Sequence, residues 1–382
     1  MLTILIFVVL LGALVFVHEL GHFLTAIRNG IRVDEFGFGF PPRLFGVVKD
    51  ETSGKYKIVW GSKDMPSGKT VYSLNWIPLG GFVKIAGEDG HDTTDPESFA
   101  SKSAWIRIKV LGAGVFMNFF FAWLLISVVL MLGLPQPIDQ SDHGKYPNAK
   151  IQILSVAKGA PAETMGLKMG DELVTINGNA VTSLEQVSEA IKSHKGQSIA
   201  IEVDRFGQSL TLSGVPRVDA PATEGALGIS FSETAVVSYP WYQAFYEGAK
   251  ATYNITIAIL QAFGKMIASL WSTEEVALDV TGPVGIVYLT KQMSDLGLPY
   301  LLQFAALLSI NLGIINILPI PALDGGRILF VLIERLKGSP VSRKIEGMIH
   351  QVGFILLLLL MLFVTIRDFS QFQILDKIRH IF

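Results

Sequence analysis

The residues best suited to chemistry are His18-Glu19-Leu20-Gly21-His22, two imidazoles four positions apart with a carboxylate between them. On a helix both histidines lie on one face, where they can hold a single Zn²⁺. Glu19 then sits beside the metal, placed to take the proton from a water attacking a carbonyl. This is a hydrolytic arrangement. The pattern fixes only three positions and arises by chance in soluble helices. Here it lies in an otherwise uncharged apolar run, residues 2 to 27, where ionisable groups are costly unless they are paired or bind something. That setting favours the metal.

The elements that must hold such a site are set by composition. The chain has 382 residues, 50% hydrophobic and 17% charged, with mean hydropathy +0.45, the profile of a membrane protein. A formal net charge of -2 gives no electrostatic footprint for nucleic acid, so no nucleic-acid partner is expected. Cysteine is absent. Any zinc site must therefore be built from His, Asp or Glu.

Residues 2 to 27 read as a retained membrane span, because the first basic residue is Arg28 and no small-residue cleavage site follows. His18 falls roughly 25 Å along it, toward the far face of the hydrocarbon core. Val110 to Leu132 is a second span, interrupted only by Asn118 and Ser127. Arg107 and Lys109 place its start on the cytoplasmic face, where the first span should also end. A third span, about Leu298 to Leu323, runs parallel to the first and ends in Asp324-Gly325-Gly326, and a fourth covers about 348 to 366. Arg327, Arg335, Lys337, Arg343 and Lys344 crowd the short loop between these two.

Asp324 should thus meet His18 and His22, and a carboxylate added to two histidines leaves the fourth zinc position open for water. Taken alone, Asp324 reads first as a helix-ending Asp-Gly turn residue, and its convergence with the histidine pair reverses that preference. Asn311 and Asn316 either glue spans together or hold the backbone of an opened substrate helix. Tyr253 to Trp271 keeps Ile255, Ile259, Phe263, Met266 and Leu270 on one stripe, so it reads as an amphipathic helix on the membrane surface.

Between the first two spans, Phe36, Phe38 and Phe40 alternate with Gly37 and Gly39. As a strand this would carry aromatics on one face and bare backbone on the other, open to a second chain; as a turn it would only lead into Pro41-Pro42. Tyr56, Ile58 and Trp60, then Thr70, Tyr72, Leu74 and Trp76, alternate as further strands. Val71 to Val83 is uncharged, yet Pro78, Gly80 and Gly81 preclude a regular helix, which suggests a hairpin dipping toward the histidines. From 148 to 218 the composition turns soluble, with alternating strands and a helix behind Thr182 and Glu185, read as its capping box. Gly166-Leu167, Gly170-Asp171-Glu172-Leu173 and Ile176-Asn177-Gly178 resemble a PDZ domain of the bacterial protease-associated kind, a family that binds chain ends by strand addition.

Together, HELGH in a first span, Gly37-Phe38-Gly39, the Asn316 to Gly326 string and the PDZ-like insertion resemble the bacterial branch of the site-2 protease family of intramembrane zinc metalloproteases. The resemblance implies Zn²⁺ held by His18, His22 and Asp324, Glu19 as catalytic base, and Asn311 and Asn316, with Gly37 and Gly39, toward the substrate. It implies single-span substrates such as trimmed anti-sigma factors or remnant signal peptides. The expected fold is a polytopic α-helical membrane protein of about four transmembrane helices, with a membrane-reentrant β element and an inserted α+β PDZ-like domain. Its parts are 1–134, the PDZ-like 148–218, a linker with the surface helix at 219–297, and 298–382. It would sit in the lipid bilayer of the inner (plasma) membrane, with the active site near the cytoplasmic face. The PDZ-like domain, a receptor for a peptide C-terminus or a size filter, would lie on the extracytoplasmic side. Family members with two PDZ-like domains differ, since this chain has room for one. A non-enzymatic membrane scaffold would bind no metal and be indifferent to Glu19. An ion-coupled transporter would need internal repeats and midplane charges, which the sequence lacks.

Overall fold

The computed structural model describes residues 2–49, 54–61, 69–90, 93–138, 146, 148–205, 207–221, 225–269, 282–339 and 341–371. Two compact units emerge, residues 1–129 with 241–382, and residues 130–240.

In the first unit α1 (Leu2–Arg28) leads into β1 (Val33–Lys49), β2 (Tyr56–Trp60) and β3 (Val71–Ile85), followed by α2 (Ala104–Leu132). The sheet order is β2-β1-β3, but both long strands fold back on themselves. The first half of β1 pairs with Gly81–Ile85 on one side and Val71–Leu74 on the other, and Val71–Leu74 in turn takes Phe45–Val47 of the second half. Gly37 therefore has Phe82 and Ser73 as its two partners. A Cβ at Gly37 would lie 2.2 Å from Ser73 Oγ. The second chain for which its bare backbone makes room is β3 of the same molecule, which corrects the expectation of a free edge at Gly37 and Gly39.

The chain returns to this unit as α5 (Trp241–Ser269), α6 (Pro283–Leu296), α7 (Leu298–Ile317), α8 (Asp324–Lys337) and α9 (Arg343–Gln371). Among the described residues, four helices are long and apolar enough to cross a membrane: Leu2–Arg28, Ala104–Leu132, Leu298–Ile317 and Lys344–Phe369. One apolar cluster joins α1, the sheet, α2 and α8 through Phe23, Phe36, Ile85, Val110 and Val331. Another joins α1 to α7 through Leu10, Leu14, Phe304 and Ala305.

Several expectations change here. The third span stops at Ile317 rather than continuing to Leu323, since Pro319 and Pro321 lack N–H groups and push the residues before them out of the helical region. The basic stretch after Asp324 is mostly helix α8, not loop. Residues 253 to 269 are part of α5, whose Ala244, Gly248 and Thr252 are buried; a Cβ at Gly248 would meet Ser127 Oγ of α2 at 2.4 Å. Residues 270 and 271 of the expected surface helix lie outside the described residues. Nor is α6 part of a linker, because it packs on α1, α7 and α9.

The second unit holds β4 (Leu134–Pro137), β5 (Lys150–Val156), α3 (Pro161–Met165), β6 (Glu172–Ile176), β7 (Asn179–Ala180), α4 (Leu184–Ser193), β8 (Ile199–Arg205), β9 (Gln208–Gly214) and β10 (Ile229–Val237). Its sheet runs β4-β10-β5-β6-β8-β9, with β7 on β6. The expected boundary at 218 falls short, because β10 inserts between β4 and β5. Ile153, Ile199, Ile201, Val203 and Leu227 are almost fully buried in its core, each stabilising the unit by about 1.5–3 kcal/mol. The α4 cap is shifted by one residue from the expected Thr182 and Glu185: Ser183 Oγ accepts from Gln186 N, and Gln186 Oε1 accepts from Thr182 N.

Candidate metal centre

The last turns of α1 place His18 and His22 on one buried face. The α7 helix ends at Ile317, and the turn through Ile320 and Ala322 delivers Asp324 as the first residue of α8. Ala322 adopts φ 76°, a left-handed conformation that costs a residue with a Cβ. Its N–H donates to His350 Nδ1 of α9 at 2.8 Å, which holds the turn. Gly325 and Gly326 are required by close approach. A Cβ at either would lie 2.2–2.3 Å from the carbonyl oxygens of Ile317 or Ile320.

Three donor atoms converge. His18 Nε2 lies 3.0 Å and His22 Nε2 3.3 Å from Asp324 Oδ2, and the two nitrogens are 3.1 Å apart. Ligands about 2.0–2.1 Å from a tetrahedral zinc are separated by about 3.3 Å, so the triangle fits that ion to within a few tenths of an ångström. Oδ2 is buried and receives no well-angled hydrogen bond, as expected of an atom aimed at the same point as the two nitrogens rather than along either N–H. Among the described residues this is the one His/Asp/Glu group with metal-binding geometry. The donor set, two imidazoles and a carboxylate, is that of an open hydrolytic zinc site.

Glu19 is half-buried at the edge of the triad, with His22, Asp324, Glu88 and Arg327 as its charged neighbours. The tip of β3 reaches it. A Cβ at Gly81 would sit 2.8 Å from Phe16 Cα and 3.1 Å from Glu19 Cβ and Cγ, and one at Gly80 would sit 2.6 Å from Val15. These two glycines, noted in the sequence only as helix breakers, let the hairpin pack against α1 beside the carboxylate. Arg327, one turn into α8, pairs with Glu88 just beyond β3.

The backing plate of the site is α2, whose part the sequence did not reveal. Val110, Gly114 and Asn118 recur every fourth residue along the face that meets the histidines. Val110 carbonyl accepts from His22 Nδ1 at 2.8 Å, and Asn118 Nδ2 lies 3.0 Å from His18 Nδ1. Between them a Cβ at Gly114 would be 2.4 Å from His22 Nε2. Ser309 of α7 donates to the Asn118 carbonyl at 2.8 Å. The available signal was a polar residue four positions after a glycine at membrane depth.

The two expected asparagines part company. Asn316 shares the stripe of Ser309 and Gly313 that faces α2, at the end of α7 nearest Asp324. Asn311 lies with Leu307 and Ile315 on the exposed stripe, and its amide donates to Leu307 carbonyl at 3.1 Å. Neither bonds to the triad.

The profile of peptidase family M50 matches residues 6–61 and 61–360. The chain belongs to peptidase family M50, the site-2 protease family. It is a metalloprotease, and the long apolar helices among its described residues make it an integral membrane one. It is 31% identical to the regulator of sigma-W protease RasP of Bacillus subtilis, over 97% of this chain and 98% of that one. The putative zinc metalloprotease CPE1693 of Clostridium perfringens is 33% identical over 94% of this chain and 95% of its own. The putative zinc metalloprotease FN1322 of Fusobacterium nucleatum is 34% identical over 96% and 98%. Among solved structures, the PDZ domain of the SdrC-like protein Lmo2051 from Listeria monocytogenes is 25% identical, covering 22% of this chain and 86% of its own, with a TM-score of 0.19.

Proposed function

We propose that this membrane metalloprotease uses zinc at His18, His22 and Asp324 to hydrolyse peptide bonds in or near the transmembrane segment of single-span proteins, such as anti-sigma factors or remnant signal peptides. The observation that carries the reading is the convergence of the three donor atoms at the end of a membrane span, with Glu19 beside them. A bound zinc supplies a Lewis acid for the scissile carbonyl and acidifies water. Glu19 accepts the proton of the attacking water as the C–O bond forms and then returns it to the departing amine nitrogen as the C–N bond breaks.

A substrate helix keeps its carbonyls in its own hydrogen bonds and must open before attack. Residues 81–85 of β3 pair with β1 on one side only among the described residues. Their other edge, next to Glu19, offers main-chain bonds to an opened substrate strand. Asn316 at the α7 end, and Asn311 on the open stripe of that helix, offer amides to the same backbone. Tyr72, Leu74, Trp76, Ile77 and Phe40 are exposed apolar residues of this sheet, which suits a β element re-entering the membrane beside the middle of α1.

We assign the site to the cytoplasmic face of the plasma membrane. Supporting this, Arg107 at the start of α2 makes a bidentate pair with Glu334 of α8 at 2.8 and 3.0 Å, and Arg335 stacks on Trp105. The basic residues used to orient the chain thus share one end of the bundle. In the PDZ-like unit, β10 pairs with β4 over Thr234–Val237, and among the described residues its edge at Ile229–Ser232 has no partner strand on that side. That edge borders a cavity of about 290 Å³ lined by Ile191 and Lys192 of α4 and by Lys195 just past its end. A strand edge with two lysines suits a peptide carboxyl terminus.

The test is cleavage of a tagged single-span protein in proteoliposomes containing the purified chain. Cleavage that stops with a zinc chelator and returns with added zinc is expected. Chelator-resistant cleavage, or none by the zinc-loaded protein on any such substrate, rejects the reading.

A further inference from the structure

The two histidines are held from behind by different chemistry. His22 Nδ1 faces the Val110 carbonyl at 2.8 Å, a group that only accepts, so its hydrogen sits on Nδ1 and Nε2 presents a lone pair. His18 Nδ1 faces Asn118 Nδ2 at 3.0 Å, an amide nitrogen that only donates. With that partner the hydrogen of a neutral His18 sits on Nε2, where it blocks ligation. Meanwhile Asn118 Oδ1 is buried and has no hydrogen-bond partner among the described residues, in a side chain with no exposed surface. A buried acceptor left unbonded costs about 1–3 kcal/mol.

A half-turn of the amide about χ2 exchanges its two ends within nearly the same volume. It would bring Oδ1 against Nδ1–H and move the hydrogen of His18 off Nε2. The rest of Asn118 is fixed, since its carbonyl accepts from Ser309 Oγ of α7 and a Cβ on Gly313 would lie 3.5 Å from its own Cβ. Only the amide plane is left to turn.

We propose that Asn118 is the positioning residue for His18: in the metal-loaded protein its amide oxygen accepts from His18 Nδ1 and fixes the tautomer whose Nε2 can ligate. The inference rests on the metal site proposed above. α2 then serves both ligands alike, with the Val110 carbonyl for His22 and the Asn118 amide oxygen for His18.

The experiment is zinc affinity of the full chain in detergent, by chelator competition, for the wild type, Asn118→Asp and Asn118→Leu. Leu removes the acceptor and should weaken binding about 10–100-fold, while Asp, of the same size and accepting only, should stay within about threefold of the wild type. Asn118→Leu binding like the wild type, or Asn118→Asp binding as weakly as Leu, overturns the proposal. The latter is what an amide donor at this position predicts. Should the Leu variant fail to fold, ¹⁵N-histidine spectra of the zinc-loaded wild type decide: hydrogen on Nδ1 of His18 is expected, and a bare Nδ1 refutes it. A wild type with no zinc affinity removes the site itself, an outcome distinct from intact binding that ignores Asn118.

Discussion

Gly114 gives the sharpest test of how closely α2 backs the metal centre. A methyl group there would lie 2.4 Å from His22 Nε2 and 2.7 and 2.8 Å from His18 Cε1 and Nε2. Restoring ordinary van der Waals contact needs a displacement of about 1 Å, which must come from the two imidazoles or from separation of α1 and α2. A misplacement of that size costs about 10²-fold in rate, or about 2.7 kcal/mol of transition-state stabilisation. Intrinsic helix propensity acts the other way, since alanine is better than glycine inside a helix by about 1 kcal/mol. Gly114→Ala should therefore fold, lose zinc affinity and cleave a single-span substrate at about a hundredth of the wild-type rate. Gly112→Ala, on the same helix with nothing within 4 Å of the added Cβ, should cleave normally. Chelator competition and cleavage in proteoliposomes would report both effects. Gly114→Ala with wild-type affinity and rate would show that α2 does not abut the site.

Other positions test its supports. His350→Leu removes the acceptor for the Ala322 N–H and should lower cleavage about tenfold, while His350→Asn, which keeps an acceptor, should lower it less; equal losses would exclude this bond as the cause. Asp368 of α9 is fully buried and accepts from the N–H groups of Gly282 and Gly285 at 3.1 and 2.7 Å, capping α6, whose cap residue is itself a glycine. Asp368→Leu leaves those donors bare and should cost about 2–4 kcal/mol, seen as faster hydrogen exchange across 285–290; unchanged exchange would contradict it. In the PDZ-like unit, buried Asp171 accepts from Arg205 Nε and Nη2 at 2.6 and 2.7 Å, and this pairing raises the Arg205 pKa. Arg205→Met should destabilise that unit by about 3–5 kcal/mol, measured by urea-dependent hydrogen exchange over 150–205 in the full chain, and a change below about 1 kcal/mol would refute the pairing's role.

The candidate site is legible because the residues proposed to form it are out of place. Two histidines, Glu19 and Asp324 stand in or beside apolar spans where solvation penalises them, and basic residues at the span ends fixed which ends meet. What supports those groups was hidden because it consists of absences and backbone. Gly114, Gly80 and Gly81 matter through the Cβ they lack, and Val110 acts through a carbonyl that every residue has. Gly37 invited the same reading, but periodicity could not tell whether an outside chain or β3 would fill the space. The β10 strand was missed because it inserts between β4 and β5, strands that begin 95 and 79 residues earlier, a long-range pairing with no local signature. Pro319 and Pro321 were visible, yet an apolar run reads through them in any window average, which is why the third span was drawn too long.

The central claim is that one constellation both holds zinc and cuts peptide bonds, with Glu19 contributing only to the cutting. The most direct measurement is zinc stoichiometry together with cleavage for Glu19→Gln in proteoliposomes, beside the wild type and Asp324→Ala. Glu19→Gln should bind zinc like the wild type and lose about 10²–10⁴-fold in cleavage, while Asp324→Ala should lose both. Cleavage by Glu19→Gln at the wild-type rate, or full zinc occupancy without Asp324, would contradict the account.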